Sequence, residues 1–99
     1  GLVFYDNVIA ELKKYDMEPL ITILHFDMPQ HLADAYGGWA NRALIPLFVK
    51  YAKTLLTRWK DQVKYWVTIN EININTNFMM NGVHEHKKIL FIAFVLNFF

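Results

Sequence analysis

The sequence predicts an α/β fold whose strands run parallel. Segments with the apolar spacing of helices alternate with short, continuous apolar runs, in the order helix, strand, helix, strand. The two apolar runs, residues 20–24 and 65–69, have no polar face, which is typical of strands covered on both sides in a parallel sheet. Polar side chains follow each run directly. Together these observations indicate a β-α-β crossover.

The first helix is expected over residues 2–15, because apolar residues recur there at helical spacing. Its buried face would consist of Tyr5, Val8, Ile9 and Leu12. The helix should end before Pro19, since the residue that precedes a proline is biased away from helical dihedrals. The first strand, residues 20–24, then follows at once.

A loop with one helical turn is predicted over residues 30–39. Asn41 is the expected N-cap of the second long helix. Because Pro46 is tolerated only in a first turn, the regular part of that helix should start at Leu44 or Ile45. Its apolar stripe would consist of Phe48, Tyr51, Ala52, Leu55 and Trp59.

The last part of the chain differs in character from the rest. Residues 72–82 are rich in Asn and are predicted to form a loop. Residues 89–99 are almost entirely apolar but too short to span a bilayer, so we expect a buried strand or helix, or a segment without a proper partner. His84-Glu85-His86 lacks a further Cys or Asp ligand nearby, so no metal site is expected there.

Composition excludes several classes of function. The 99 residues are 55% hydrophobic and carry a net charge of +1, so we expect no nucleic-acid partner and no membrane partner. The chain has no cysteine and hence neither disulfides nor thiolate chemistry, which fits a cytoplasmic protein. Because it begins with Gly1 and has no signal pattern, we expect it to be a piece of a longer protein.

The polar residues after the two strands form the candidate site. His25 and Asp27 follow the first strand, and Asn70 and Glu71 follow the second. In α/β folds chemistry is found at the carboxyl ends of parallel strands, where a carboxylic acid can protonate a leaving oxygen. Other interpretations stay open at this point. His25 could be a scaffold residue, Glu71 a helix cap and Asp27 a turn-former.

Aromatic residues near these strand ends have two interpretations as well. Phe26, Trp39 and Trp66 could provide an apolar floor for a substrate. Trp39, together with Trp59, could instead be a packing group. Residue types and spacing do not decide between these roles.

Three motifs occur in order along the chain. The segment Glu18–Pro29 ends in His-Phe-Asp-Met-Pro, residues 37–42 are Gly-Gly-Trp-Ala-Asn-Arg, and residues 66–71 are Trp-Val-Thr-Ile-Asn-Glu. In sequence and spacing these motifs resemble those of glycoside hydrolase family 1, the β-glucosidase and 6-phospho-β-glucosidase family. The resemblance covers roughly residues 1–80.

The resemblance implies a fold, a reaction and three site residues. The family fold is a (β/α)8 TIM barrel, of which residues 1–71 would supply about helix 2 through strand 4 and not a complete barrel. Glu71 would be the acid/base of retaining β-glycoside hydrolysis. Asn70 would bind the sugar 2-hydroxyl, and His25 would bind the glycone. The reaction needs neither a metal nor another cofactor.

The residues after the last motif point to one branch of the family. Ile72-Asn73 follows Asn-Glu, where most plain β-glucosidases of the family have Pro. Together with residues 25–29, this is similar to bacterial 6-phospho-β-glucosidases. Those enzymes act in the cytoplasm on imported, phosphorylated disaccharides. The expected substrate is therefore a small-molecule β-glycoside, in particular a 6-phosphorylated disaccharide.

Two departures from the family pattern limit this expectation. The family nucleophile lies in a Thr-Glu-Asn-Gly context, which does not occur in these 99 residues. Residues 83–99 form an apolar tail unlike the family, which suggests a change of reading frame or a degraded gene after a partial barrel domain at residues 1–82. The isolated chain is therefore expected to be inactive. The alternative function is a non-catalytic truncated remnant or a small binding domain without turnover.

Overall fold

The computed structural model describes residues 1–39 and 41–72. They form α1 (Leu2–Lys14), β1 (Leu20–Leu24), α2 (Gln30–Tyr36), α3 (Leu44–Trp59) and β2 (Tyr65–Ile69). The two strands pair in parallel, with Leu20 opposite Tyr65 and Leu24 opposite Ile69. This confirms the predicted α/β class and both predicted strands.

Helix α1 ends one residue before the predicted boundary, in a left-handed turn. Asp16 has φ of 57°, and its N–H donates to the Lys13 carbonyl at 3.1 Å. The Met17 N–H donates to the Leu12 carbonyl at 3.0 Å. These two bonds form a Schellman motif with Asp16 where glycine is usual. The turn directs the chain back toward β1.

Helix α2 corrects the prediction of a loop with a single helical turn. It spans seven residues and ends at Gly37, whose φ of 70° suits a residue without Cβ. The Gly37 N–H donates to the Ala33 carbonyl at 2.8 Å, and Gln30 Nε2 donates to Asp34 Oδ1 at 2.8 Å. Since α2 buries no residue, it has no core-facing apolar stripe by which sequence could detect it.

Helix α3 starts at Leu44 as predicted, but its N-cap position is Ala43 rather than Asn41. Asn41 instead organises the preceding turn. Its Oδ1 accepts from the Ala43 N–H at 3.0 Å, and its Nδ2 donates to the Tyr36 carbonyl at 2.9 Å. This short-range side-chain bonding is the competing role that Asn commonly takes near helix starts.

The core lies between α3, α1 and the carboxyl halves of the strands. Its buried members are Ile9, Ile23, Leu24, Phe48, Ala52, Leu55, Trp59, Val63 and Ile69. Burial increases along each strand, from 65% exposed at Leu20 to 5% at Leu24. Full coverage of both strand faces was expected and is found only at these carboxyl ends. In the described part each strand has a single strand neighbour.

A partly exposed polar cluster joins α1 to α3. Asp6 Oδ1 accepts from Arg58 Nε and from Trp59 Nε1, both at 2.8 Å, and Asp6 Oδ2 accepts from Arg58 Nη2. The bonds from Arg58 and then from Trp59 lower the pKa of Asp6 from its ordinary 3.8 to about 2. One carboxylate on the first helix thus binds two consecutive residues at the end of the third.

Within the described ranges, no helix is long and apolar enough to cross a membrane. The predicted Asn-rich loop, the His84-Glu85-His86 cluster and the apolar tail at 83–99 lie outside those ranges. The domain boundary at residue 82 therefore stays a prediction.

Candidate active site

The carboxyl ends of the two strands lie side by side. Leu24 pairs with Ile69, and the Asn70 N–H donates to the Leu24 carbonyl at 2.9 Å, which extends the ladder beyond β2. His25 and Phe26 follow Leu24, and Asn70 and Glu71 follow Ile69, so these residues leave the sheet at the same edge. The parallel sheet thus brings together the backbone positions of all three predicted site residues.

Both strands end in the same unusual backbone conformation. Phe26 has φ of 63° and Glu71 has φ of 42°. Side chains other than glycine, and bulky ones above all, rarely adopt this left-handed region. Such strain persists only where surrounding contacts impose it, and it is concentrated at functional sites. The chain consequently turns sharply immediately after His25 and after Asn70.

Asp27 closes the turn after β1. Its N–H donates to the His25 carbonyl at 2.8 Å, and its Oδ1 accepts from the His25 N–H at 3.3 Å. A bond between residues two apart around a centre of positive φ is a γ-turn, the strained form of that turn. Of the two interpretations open for Asp27, turn-former or catalyst, the structure shows the turn-former.

The predicted site side chains face solvent to different degrees. His25 and Glu71 are exposed, and Asn70 is partly buried. The His25 ring lies 5.4 Å from the Phe26 ring, at an angle of 50°. An exposed imidazole, amide and carboxylate at one edge can all exchange hydrogen bonds with a ligand that approaches from solvent.

The two tryptophans proposed as an apolar floor have different surroundings. Trp39 packs edge-on against Phe48 at 5.6 Å. It lines, with Leu24 and Asp27, a cavity of about 300 Å³ between the end of β1, α2 and α3. Trp66 donates from Nε1 to the Val63 carbonyl at 3.2 Å. Trp39 therefore packs against α3. Trp59 is a core residue, since it is only 3% exposed.

Tyr51 is a site neighbour that sequence reasoning placed only in a packing stripe. Its hydroxyl donates to the Ile23 carbonyl at 3.2 Å, so α3 is fastened to β1 close to the site. Burial, and after it the charge of Asp27, raises the pKa of Tyr51. The contact joins residues 28 positions apart, and a tyrosine at helical spacing gives no sequence signal for it.

Metal chemistry has no candidate centre in the described residues. Within residues 1–39 and 41–72, no three His, Asp or Glu side chains converge as metal ligands would. The side chains at the strand ends can transfer a proton through a carboxyl group and form hydrogen bonds through an amide and an imidazole.

Comparison with known proteins identifies a family. The model of the family described as glycosyl hydrolase family 1 matches residues 1–87. Over 89 residues the chain is 48% identical to a 6-phospho-beta-glucosidase of Clostridium longisporum, covering 88% of the chain and 19% of that protein. It is 50% identical over 76 residues to Beta-glucosidase 1 of Arabidopsis thaliana, covering 77% of the chain and 15% of that protein.

A solved structure agrees with the sequence relatives. The beta-glucosidase from Thermotoga maritima in complex with deoxynojirimycin superposes with a TM-score of 0.75 and 36% identity. The superposition covers 85% of this chain and 19% of that one. The chain thus spans less than a fifth of the length of the proteins it matches.

Proposed function

The chain belongs to glycosyl hydrolase family 1, and on that premise we propose that it is a segment of a retaining β-glycosidase that carries the acid/base residue Glu71. In this proposal α1, β1, α3 and β2 are helix 2, strand 3, helix 3 and strand 4 of a (β/α)8 barrel. The remaining strands, with the nucleophilic carboxylate, come from outside these 99 residues.

The observation that carries the proposal is the alignment of the two strand ends. His25 and Asn70 directly follow the paired residues Leu24 and Ile69, and Glu71 follows Asn70 with a left-handed φ at the same edge. In barrels of this kind the active site is built at the carboxyl ends of the strands, by residues from several strands. This arrangement supports the assignment of the sugar-binding and acid/base roles to the three residues.

Each residue has a definite role in the proposed reaction. Glu71 donates its proton to the glycosidic oxygen while the second carboxylate, about 5–5.5 Å away, attacks the anomeric carbon and forms a glycosyl-enzyme. Glu71 then takes a proton from the water that hydrolyses this intermediate. The Asn70 amide hydrogen-bonds the sugar 2-hydroxyl, and the His25 imidazole hydrogen-bonds a hydroxyl of the glycone.

The substrate class in this proposal is a 6-phospho-β-glucoside, hydrolysed in the cytoplasm. The relative from Clostridium longisporum bears the name of such an enzyme, and Ile72-Asn73 follows the Asn-Glu pair as in that branch. The relative from Arabidopsis thaliana, at similar identity, is named a plain beta-glucosidase. The test must therefore compare phosphorylated and unphosphorylated substrates.

A graft supplies the missing part of the site. Residues 1–72 of this chain replace the aligned residues of the Clostridium longisporum 6-phospho-beta-glucosidase; this hybrid is called the graft below. A shorter graft of residues 20–72 serves if the longer one does not fold, as judged by circular dichroism. The graft is assayed with aryl 6-phospho-β-glucoside and aryl β-glucoside, and the 99-residue chain alone is the blank.

The graft should hydrolyse the phosphorylated substrate. With a poorly leaving aglycone such as methyl, Glu71→Gln should lower kcat/KM by about 10²–10⁴-fold, the usual contribution of acid/base catalysis. Glu11→Gln is the matched control, since Glu11 is an exposed carboxylate paired with Lys14 on α1. A folded graft that lacks hydrolysis, or one that Glu71→Gln leaves fully active on the methyl substrate, would reject the proposed role. Ligand binding by such a graft without turnover would favour a non-catalytic domain instead.

A further inference from the structure

We propose that Asp27 is a positioning residue that holds His25 in place at the strand-end site, an inference that rests on the proposed function. Asp27 would act through the backbone of His25 and would not touch the substrate.

Asp27 holds both backbone hydrogen-bonding groups of His25. The Asp27 carboxylate accepts from the His25 N–H at 3.3 Å, and the Asp27 N–H donates to the His25 carbonyl at 2.8 Å. The ladder to β2 ends one residue earlier, where the Leu24 carbonyl accepts from the Asn70 N–H. Where strand pairing stops, Asp27 therefore replaces the neighbouring strand as the partner of His25.

The conformation that these bonds impose is unfavourable for the residue between them. Phe26 has a φ of 63°, which an aromatic side chain adopts only under constraint. Without the carboxylate, the turn would be held by a single strained γ-turn bond. We expect Phe26 to relax toward negative φ in that case, which would swing the peptide that carries His25.

The surroundings of Asp27 agree with a structural role for its carboxylate. Asp27 is exposed and, with Leu24, Trp39 and Tyr51, lines the cavity between β1, α2 and α3. Its charge also contributes to the raised pKa of Tyr51, whose hydroxyl is bonded to the Ile23 carbonyl. Asp27 therefore lies where the end of β1 approaches α2 and α3.

A double-mutant cycle in the graft tests this inference. The variants are Asp27→Ala, Asp27→Asn, His25→Ala and the double variant Asp27→Ala/His25→Ala, each assayed for kcat/KM on aryl 6-phospho-β-glucoside. The Asn side chain keeps an oxygen that can accept from the His25 N–H, whereas Ala does not. Asp61→Ala is the control, because Asp61 is an exposed carboxylate whose contact with Lys60 is 4.0 Å long.

If Asp27 works through His25, Asp27→Ala lowers kcat/KM by about tenfold and Asp27→Asn by less than about threefold. In the His25→Ala background, Asp27→Ala should then cost less than about twofold, since neighbours that act as a unit are not additive. An equal loss in both backgrounds would overturn the inference, as would an Asn variant as damaged as the Ala variant.

Crystal structures of the variant grafts give a readout independent of activity. Phe26 should keep its positive φ in Asp27→Asn and lose it in Asp27→Ala, and an unchanged φ in Asp27→Ala would overturn the inference.

Different results would reject the proposed function and this inference. Absence of Glu71-dependent hydrolysis in the folded graft rejects the proposed function, whereas intact Glu71-dependent hydrolysis with additive Asp27 and His25 effects rejects this inference alone.

Discussion

Phe26 and Glu71 occupy matched positions, each two residues beyond the paired Leu24 and Ile69, and both have left-handed φ. Neither residue is glycine, so both strands end in a conformation that costs free energy. Glu71, which has this unfavourable conformation, also carries the carboxylate that the proposed reaction requires. The backbone strain and the proposed chemistry thus coincide at one residue.

Glu71→Gly should make the graft more stable and inactive. Glycine adopts positive φ without the steric cost of about 1–2 kcal/mol that other residues meet there, although its greater freedom in the unfolded chain offsets part of the gain. Glu71→Gln keeps the strain and should leave the melting temperature unchanged. Melting curves of both variants check this, and a Gly variant no more stable than the Gln variant would contradict the strain argument.

The contribution of Asp6 to stability should depend on pH. Its pKa in the folded chain, about 2, lies below the value in an unfolded chain, so the contribution is complete above about pH 4 and is lost as the pH falls toward 2. Asp6→Asn should therefore lower the melting temperature of the graft at pH 7, with the difference from wild type shrinking below about pH 4.

Glu11→Gln is the control for Asp6, because Glu11 forms an exposed ion pair with Lys14 and exposed pairs contribute little. Its effect on the melting temperature should be smaller at every pH. A difference between Asp6→Asn and wild type that stays constant down to pH 2 would show that the cluster does not depend on the Asp6 charge.

Asp16 offers a test of the turn after α1. Asp16 has φ of 57° at the position of the Schellman motif where glycine is favoured. Asp16→Gly should stabilise the graft by up to about 1 kcal/mol, and Asp16→Ala should destabilise it, because alanine lacks the local hydrogen bonding by which Asp tolerates this region. Melting temperatures that rank Ala above Gly would contradict the assignment.

The packing of α3 can be tested with neighbouring residues of the same helix. Phe48 is 3% exposed and contacts Trp39, whereas Val49 is 36% exposed. Phe48→Ala should cost about 3–5 kcal/mol in the free energy of unfolding, as large-to-small core changes do. Val49→Ala should cost about 0.5 kcal/mol or less, as surface changes do. Equal losses in chemical denaturation would show that α3 presents a different face to the core.

Periodicity was enough to predict the elements that bury an apolar face. The strand boundaries at residues 20–24 and 65–69 and the start of α3 at Leu44 are confirmed, because an apolar stripe and a proline restrict the choices. Only one turn of helix α2 was predicted, since α2 buries no residue. The cap of α3 was misplaced because Asn41 forms short-range bonds to both sides of its turn.

Some features of the candidate site could likewise be predicted from the sequence, and others could not. Polar residues after two parallel strands predicted which ends of the strands meet, and the register pairs Leu24 with Ile69, directly before His25 and Asn70. The residue types at positions 26 and 71 did not indicate a left-handed φ, since neither Phe26 nor Glu71 is glycine or asparagine. The contact of Asp6 with Arg58 joins residues 52 positions apart and depends on how α1 lies against α3, which periodicity does not specify.

The leaving-group dependence of Glu71→Gln in the graft tests the central claim most directly. Proton donation accelerates the reaction more when the aglycone is a poorer leaving group. The variant and the unmodified graft are therefore compared by kcat/KM on dinitrophenyl and methyl 6-phospho-β-glucosides. We expect kcat/KM of the variant to fall less than about tenfold with the dinitrophenyl substrate and more than about 100-fold with the methyl substrate. Equal losses with both substrates would contradict the assignment of Glu71 as the proton donor.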